Sequence, residues 1–231
     1  MLLGIIGAME KETAALRGRM KDAADTVVAG IRYTEGMLDR KHVVLSRCGI
    51  GKVHAAMCAF GMIERFHPDA VLNIGVAGGL LPDLSIGDIV IAENAVQHDS
   101  DTSALGDPVG YVSGLPDVYI PADSSLSALI CQAAEQAGIP SVRANITTGD
   151  QFIADLDKKR WLASHFGAGA CDMEGGAVAQ VCLEYGTPYA AFRAVSDTLT
   201  GNGKEYEENV HAACAASAAL VRVLLSLLPN A

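Results

Sequence analysis

The sequence predicts an α/β domain with a mostly parallel, buried central sheet. Short apolar runs of strand composition alternate with helical segments along most of the 231 residues, an alternation typical of parallel sheets covered by helices. Half of the residues are hydrophobic and 19% are charged, which excludes a disordered chain. No linker rich in Pro, Gly or Ser divides the chain, so we expect residues 1–231 to form one domain.

Each element is predicted from its local composition. An apolar run at residues 2–6 predicts the first strand, and residues 10–20 have helical composition. Two runs rich in Val, Ile and Tyr, at residues 31–38 and 42–48, predict a hairpin that makes the sheet mixed. Further strands are expected at residues 71–76, 86–96, 142–148, 168–172 and 189–195, helices at 52–66, 124–137, 155–166, 175–185 and 205–228, and a long polar loop at 97–121.

Charge and cysteine content exclude several classes of protein. Lys plus Arg number 17 and Asp plus Glu number 27, and this acidic balance repels phosphate backbones and argues against nucleic-acid binding. The six cysteines form no C-x-x-C pair, which indicates free thiols in a reduced compartment. The N-terminus lacks a basic leader, and the apolar stretch at residues 212–228 carries Arg222 and is shorter than the roughly 20 clean residues of a membrane span. We therefore expect a cytoplasmic protein that binds neither membrane nor nucleic acid.

Several acidic side chains directly follow predicted strands. In open α/β sheets, ligands bind at the carboxyl ends of the strands. Glu12 lies beyond the first strand, Glu174 beyond the strand at 168–172, and Asp197 beyond the last strand. An acid at the start of a helix also complements the helix dipole. As a set, however, these carboxyl groups predict a site at one edge of the sheet.

Other site patterns fit the sequence less well. The glycine turns at residues 49–52 and 75–79 match neither the P-loop nor the complete dinucleotide-binding pattern. His98, Asp99 and Asp101 suggest a metal site, but a polar loop is the favoured interpretation. The sequence contains no G-x-S-x-G nucleophile motif.

Six short segments together are specific to one protein family, because of their order and spacing along the chain. They are GIIGAMEKE at residues 4–12, CGIGKV at 48–53, NIGVAGG at 73–79, GDQFI at 149–153, DME at 172–174 and RAVSD at 193–197. Together they resemble the 5′-methylthioadenosine/S-adenosylhomocysteine nucleosidases. The resemblance implies the nucleoside phosphorylase/hydrolase fold, which is a three-layer α/β/α sandwich with a mixed central sheet. It also implies a homodimer that needs no metal or organic cofactor.

The resemblance also implies a reaction. The expected substrates are 5′-methylthioadenosine and S-adenosylhomocysteine, with 5′-deoxyadenosine as a variant, and the expected role is in methionine salvage. Hydrolysis of the N-ribosidic bond releases adenine through an oxocarbenium-like state. On this resemblance Glu12 activates the water, Asp197 protonates the leaving purine, and Glu174 holds the ribose 2′-hydroxyl.

The remaining site residues are substrate-binding by the same resemblance. Phe152 stacks on adenine while the main chain of Ile153 binds its edge, and Ser196 orients the general acid. The others are Ala77 and Gly78 in the glycine turn, Met173 at the ribose, Arg193 beside the water and the acids, and Tyr206, which replaces a phenylalanine that closes over adenine.

Two departures from the family pattern keep alternatives open. Val76 stands where family members commonly carry Ser, the residue that contacts phosphate in phosphorylase relatives. Leu105 stands where an aromatic side chain from the partner subunit often lines the 5′ pocket. The alternatives are an aminofutalosine nucleosidase, a purine nucleoside phosphorylase that uses phosphate, and a binding module for adenine nucleosides without catalysis.

Overall fold

The computed structural model describes residues 1–229, and it consists of one mixed sheet covered by helices. Asn230 and Ala231, the last two residues of the predicted domain, lie outside the described part. The strands are β1 (Leu2–Gly7), β2 (Lys21–Val28), β3 (Ile31–Leu38), β4 (Lys41–Arg47), β5 (Ala70–Asn73), β6 (Val76–Gly79), β7 (Ile89–Gln97), β8 (Ile120–Pro121), β9 (Ser141–Thr148), β10 (Ala168–Asp172) and β11 (Tyr189–Asp197). The helices are α1 (Glu10–Arg17), α2 (Lys52–Phe66), α3 (Ser124–Ala137), α4 (Leu156–Phe166), α5 (Gly175–Tyr185) and α6 (Gly203–Leu227).

The strand order is β2-β3-β4-β1-β5-β11-β6-β10-β9-β7-β8. β1 lies parallel to β4 and β5, whereas β3 and β4 form the predicted antiparallel hairpin. The long strand β11 pairs first with β5, then with β7 and β6. Because β7 also pairs with β9, and β10 with both β9 and β6, five strands close into a ring. The C-terminal ends of β1, β10 and β11 carry the chain to the predicted site residues.

Helices pack on both faces of the sheet, which confirms the α/β/α sandwich. α2 and α5 pack against each other on one face, and α1 and α3 both pack on α6 on the other. Each face has its own core, built mainly from Ala, Val, Ile and Leu. α4 lies against β9 and β10, and it forms a smaller core through Leu162 and Phe166.

Three strands differ from the prediction. The short strand β8 lies within the segment predicted as a loop, where it pairs with β7. β2 has the polar sequence KDAADTVV and is largely exposed, so no apolar alternation predicts it; it forms because it pairs with β3 at the edge of the sheet. The single strand predicted at residues 71–76 is wrong. The chain leaves β5 after Asn73 and begins β6 at Val76, with Gly75 at φ 156° between them.

The last helix, α6, has 25 residues and contains an 18-residue apolar stretch with a mean hydropathy of 1.8, so length and composition alone would allow it to cross a membrane. Half of that apolar stretch is buried within the protein. Leu220, Val221 and Leu224 belong to the core that α6 shares with α3 and β11. The apolar face of α6 is therefore the face that packs on the sheet.

Candidate active site

One cavity of about 330 Å³ collects the predicted site residues. Its lining comprises Ala8, Met9, Glu12, Ile50, Val76, Ala77, Gly78, Gln151, Phe152, Ile153, Cys171, Asp172, Met173, Glu174, Ser196, Asp197 and Tyr206. Every predicted site residue except Arg193 is in this lining. The lining has four carboxyl groups and no Lys, Arg or His side chain.

Glu12 lies in the first turn of α1 and is almost completely buried. Its Oε2 accepts hydrogen bonds from the N–H groups of Ala8 and Met9, both at 2.7 Å, and its Oε1 accepts from Val76 N–H at 3.0 Å. Burial raises the pKa of this carboxyl above its ordinary value, against the opposing effect of the three N–H donors. Glu12 is therefore held rigidly, with a raised affinity for a proton, as a general base requires.

Glu174 lies between β10 and α5, and it also lines the cavity. Its Oε1 accepts a hydrogen bond at 2.8 Å from the N–H of Gly51, which lies in the turn before α2. Burial and the neighbouring Asp172 carboxylate raise its pKa to about 7. A carboxyl group in this state can exchange a proton near neutral pH or stabilise a nearby cation.

Asp197 ends β11 and is held from two sides. Its Oδ1 accepts from the Ser196 hydroxyl at 3.0 Å, and that hydroxyl also lies 3.1 Å from the Ala77 carbonyl. Its Oδ2 accepts from the Lys159 ammonium at 2.7 Å. A carboxylate offers about four lone-pair sites, so both oxygens keep acceptor capacity toward the cavity.

Arg193 lies behind the cavity and makes no part of its lining among the described residues. Its guanidinium binds Asp172, with Nε at 2.8 Å from Oδ2, and also donates to the side chain and carbonyl of Asn73. Its charge nevertheless lowers the pKa values of Glu12 and Glu174 relative to burial alone. The structure thus places Arg193 behind the acids, where it acts on them through its charge and through Asp172.

Aromatic side chains flank the mouth of the cavity. Phe152 is 52% exposed, and its ring meets that of Tyr206 edge-on, with centroids 5.4 Å apart. The Tyr206 hydroxyl lies 3.5 Å from Met9 Sδ. Phe152 lies in the segment before α4, and Tyr206 lies in the first turns of α6. Two distant parts of the chain thus meet at this aromatic contact.

Glycines in β6 and just before it allow the carboxyl groups to approach the strand closely. A Cβ on Gly78 would lie 3.0 Å from Asp197 Oδ2 and 3.2 Å from Cys171 Sγ. A Cβ on Gly75 would lie 2.7 Å from Glu12 Oε1. Glycine is thus required here for space.

The other sequence candidates lie elsewhere. Leu105 is 83% exposed in a 3₁₀ turn at Ser103–Leu105 and is not part of the cavity lining. Asp99 pairs with Lys52 at 2.6 Å, and Asp101 accepts from Ser103 N–H. Across residues 1–229 there is no group of three His, Cys, Asp or Glu side chains with the geometry to hold a metal ion.

Sequence reasoning assigned no site role to two charged residues, Asp172 in the cavity lining and Lys159 beside Asp197. Asp172 lies in the segment DME, next to two predicted site residues, whereas Lys159 has no such neighbour. It lies in the run Lys158-Lys159-Arg160 on α4, and such a run predicts a solvated helix face. Only Lys159 of the three is buried, because it is the one that faces β10 and β11. No local signal in the sequence distinguishes it from its neighbours.

Comparison with known proteins agrees with this geometry. The family model described as the phosphorylase superfamily matches residues 2–228. A 5′-methylthioadenosine/S-adenosylhomocysteine nucleosidase of Geobacillus kaustophilus is 42% identical over 231 residues, which cover 99% of this chain and 98% of that protein. The Neisseria meningitidis nucleosidase of the same name, solved with methylthio-immucillin-A, superposes with a TM-score of 0.94 at 34% identity, covering 98% of this chain and 99% of the other. The futalosine hydrolase of Helicobacter pylori superposes with a TM-score of 0.93 at 31% identity, covering 99% and 98%.

The fold and the cavity thus define a protein of the phosphorylase superfamily. Within that superfamily, the chain belongs to the 5′-methylthioadenosine/S-adenosylhomocysteine nucleosidase family.

Proposed function

We propose that this enzyme hydrolyses the N-ribosidic bond of 5′-methylthioadenosine and S-adenosylhomocysteine, releasing adenine and the 5′-substituted ribose. One observation carries the proposal: Glu12, Glu174 and Asp197 are buried around a single cavity that has no cationic side chain in its lining. The relatives and the nucleosidase structure named above support the substrate class.

Departure of adenine requires a proton on its imidazole ring, because the purine anion is a poor leaving group. Asp197 is the proposed general acid. The Ser196 hydroxyl and the Lys159 ammonium fix one oxygen each, so the carboxyl group can meet the purine in a defined orientation. Phe152 and Tyr206 provide the aromatic surfaces for the base, and the main chain of Ile153 lies in the lining to bind its edge.

Cleavage leaves positive charge on the ribose. The proposed role of Glu174 is to accept a hydrogen bond from the 2′-hydroxyl and to stabilise this charge, while Met173 contacts the ring. Glu12 takes a proton from the attacking water, since its raised pKa favours proton uptake. Arg193 balances the negative charge of the acids from behind the cavity.

Water is preferred to phosphate as the nucleophile for an electrostatic reason. A phosphate anion would enter a cavity lined by Glu12, Asp172, Glu174 and Asp197, with no cation in the lining to offset the repulsion. Val76 donates its N–H to Glu12, and its side chain offers no hydrogen bond. Both features disfavour the phosphorylase alternative.

The proposal is tested by incubating the protein with 5′-methylthioadenosine in phosphate-free buffer and measuring adenine by chromatography. We expect adenine without phosphate. Asp197→Asn and Glu12→Gln should each reduce kcat by about 10²–10⁴-fold, the usual contribution of a positioned acid or base. Glu135→Gln, an exposed substitution on α3, is the control. Adenine release only after phosphate is added would instead establish a phosphorylase, and tight binding without turnover would establish a binding module.

Aminofutalosine is a second candidate substrate, because the futalosine hydrolase shares this fold. The cavity also shares Ala8, Met9 and Ile50 with a groove of about 930 Å³, which Arg17, Arg32 and Arg47 line. This groove has room for a longer, anionic 5′-substituent. The ranking of kcat/KM for methylthioadenosine, S-adenosylhomocysteine and aminofutalosine decides between the candidates.

We infer that the enzyme is a homodimer that uses one face of α2. Val53, Met57 and Phe60 recur at the spacing of one helix face, and all three are exposed. Tyr185 extends this apolar face through its edge-on contact with Phe60. A monomer rarely exposes so continuous an apolar surface, and a second copy of the chain would cover it.

The assembly is tested by analytical ultracentrifugation of Val53→Glu. A buried charge at the dimer interface should convert the dimer to a monomer. Val27→Glu is the matched control, because Val27 is also exposed but lies on β2. A wild-type protein that sediments as a monomer at micromolar concentration would contradict the inference.

We place the enzyme in the cytoplasm, acting as a single domain in methionine salvage. All six cysteines, which lie within the described residues, are free thiols, as expected in a reducing compartment. The single sheet runs through the whole described chain, which supports one domain.

A further inference from the structure

We infer that Lys159 is a positioning residue for the proposed general acid, and that it ties Asp197 to the loop between β11 and α6. The inference rests on the proposed function, because it assigns Lys159 a role through Asp197. Its basis is the buried ion pair between Lys159 and Asp197. Lys159 lies outside the six sequence segments that carry the family resemblance.

Lys159 is a fully buried cation. Its side chain has 0% exposure, and its ammonium has three partners: Asp197 Oδ2 at 2.7 Å, the Thr198 carbonyl at 2.8 Å and the Gly201 carbonyl at 3.1 Å. An ammonium has three N–H donors, so every donor is used. A buried lysine with this set of partners has one fixed position, since any rotation would leave a charge or a carbonyl without a hydrogen bond.

The first consequence concerns the carboxyl group itself. Ser196 fixes Oδ1 and Lys159 fixes Oδ2, so the carboxyl plane cannot rotate about its Cβ–Cγ bond without losing a bond. Proton transfer to a ring nitrogen requires that one carboxyl oxygen lies in the purine plane at hydrogen-bond distance. The two side chains together supply this alignment.

The second consequence concerns the loop. The same ammonium holds the carbonyls of Thr198 and Gly201, while Thr198 N–H binds the Glu205 carboxylate at 2.6 Å. This loop leads into α6, which carries Tyr206 to the mouth of the cavity. Lys159 therefore couples the orientation of the acid to the position of the segment that covers the base.

Three neighbouring elements each bring an ionisable side chain close to Asp197. α4 contributes Lys159, β10 contributes Cys171, and α6 contributes Tyr206. Burial raises the pKa of Cys171 to about 12 and also raises that of Tyr206, so both groups are neutral at physiological pH. Glu205 lies behind the loop, on Thr198. Among the described residues, Lys159 is thus the cation in contact with the acid.

The test compares Lys159→Met with Lys159→Gln. Methionine keeps much of the volume but removes the charge and the donors, whereas glutamine keeps two N–H donors without the charge. For Lys159→Met we expect kcat to fall by about 10–100-fold from misalignment of the acid. KM should change little, because Lys159 is not part of the cavity lining. Lys159→Gln should recover part of kcat, because its N–H groups can replace part of the lost hydrogen bonds.

Lys158→Met is the matched control, since the Lys158 ammonium lies 4.0 Å from the Trp161 ring centroid, away from Asp197. Asp197→Asn is measured beside it. A folded Lys159→Met with wild-type kcat, beside an inactive Asp197→Asn, would overturn this inference alone. A loss of kcat that comes with an equally large rise in KM, and that Lys159→Gln does not partly recover, would show a structural role only and overturn it equally. An Asp197→Asn variant with wild-type activity would overturn the proposed function, and this inference with it.

Discussion

Arg193 shows how a single residue can support a site that it does not touch. It is the largest of the fully buried side chains among the described residues, and its charge is balanced by Asp172. The same pair lies behind Glu12 and Glu174, so its field acts on both acids. Stability and site electrostatics therefore depend on one ion pair.

Replacement of Arg193 should be strongly destabilising. Arg193→Met leaves the Asp172 carboxylate buried without its partner, which costs about 3–5 kcal/mol of unfolding free energy. Urea denaturation measures the loss. Arg143→Met is the control, because Arg143 pairs with Glu93 at 3.7 Å on the surface, where a pair contributes about 0–1 kcal/mol. Equal losses in the two variants would contradict the importance of the buried pair.

At the scale of elements, the break between β5 and β6 matters most for the site. Residues 71–76 have the mainly apolar sequence VLNIGV, so local composition predicts one strand. In the structure, β5 pairs with β1 while β6 pairs with β10, and the connection at Gly75 lets Val76 N–H point at Glu12. The break is thus decided by strand pairing and by the buried carboxylate.

Gly75→Ala tests whether the break between β5 and β6 requires a residue without a Cβ. The added Cβ would lie 2.7 Å from Glu12 Oε1, so the carboxylate must move away from Val76 N–H. We expect kcat to fall by about tenfold or more, the usual sensitivity to a misplaced catalytic group. Enzyme kinetics and a thermal melt are measured together. A variant that loses stability but keeps wild-type kcat would show that the position of Glu12 is not critical.

At the scale of the whole molecule, the acids make stability depend on pH. The pKa of Glu174 is raised from 4.5 to about 7, and that of Glu12 is raised as well. Between about pH 4.5 and pH 7, the folded state therefore binds more protons than the unfolded state. Their stabilising contribution is present below about pH 4.5 and is lost as the pH rises through about 7.

Glu174→Gln should remove the part of this pH dependence of stability that comes from Glu174. Glutamine keeps an oxygen to accept the Gly51 N–H but cannot ionise. The unfolding free energy of the variant minus that of wild type should be about 3 kcal/mol larger at pH 8 than at pH 4.5. This difference is the free-energy equivalent of the shift in the pKa of Glu174. Denaturant titrations at the two pH values measure the difference. Glu135→Gln, which is exposed, should show none, and the same difference for both variants would contradict the assignment.

The sequence by itself determined most of the elements and the content of the site. The predicted bounds of α2, α3, α5, β3 and β10 agree with the structure, because in each segment the local pattern and the packing favour the same conformation. The carboxyl groups were found because strand ends are marked by a change from apolar to polar residues. That change is local, and a sequence shows it directly.

Only the tertiary structure decided which distant groups meet. The ion pair between Lys159 and Asp197 joins residues 38 positions apart, and Arg193 contacts Asn73 from 120 positions away. The edge strand β2 and the break at Gly75 likewise depend on partners that are remote in the chain. Burial and pairing are properties of the packed molecule, so a lysine among charged neighbours becomes part of a site only when its helix packs on the sheet.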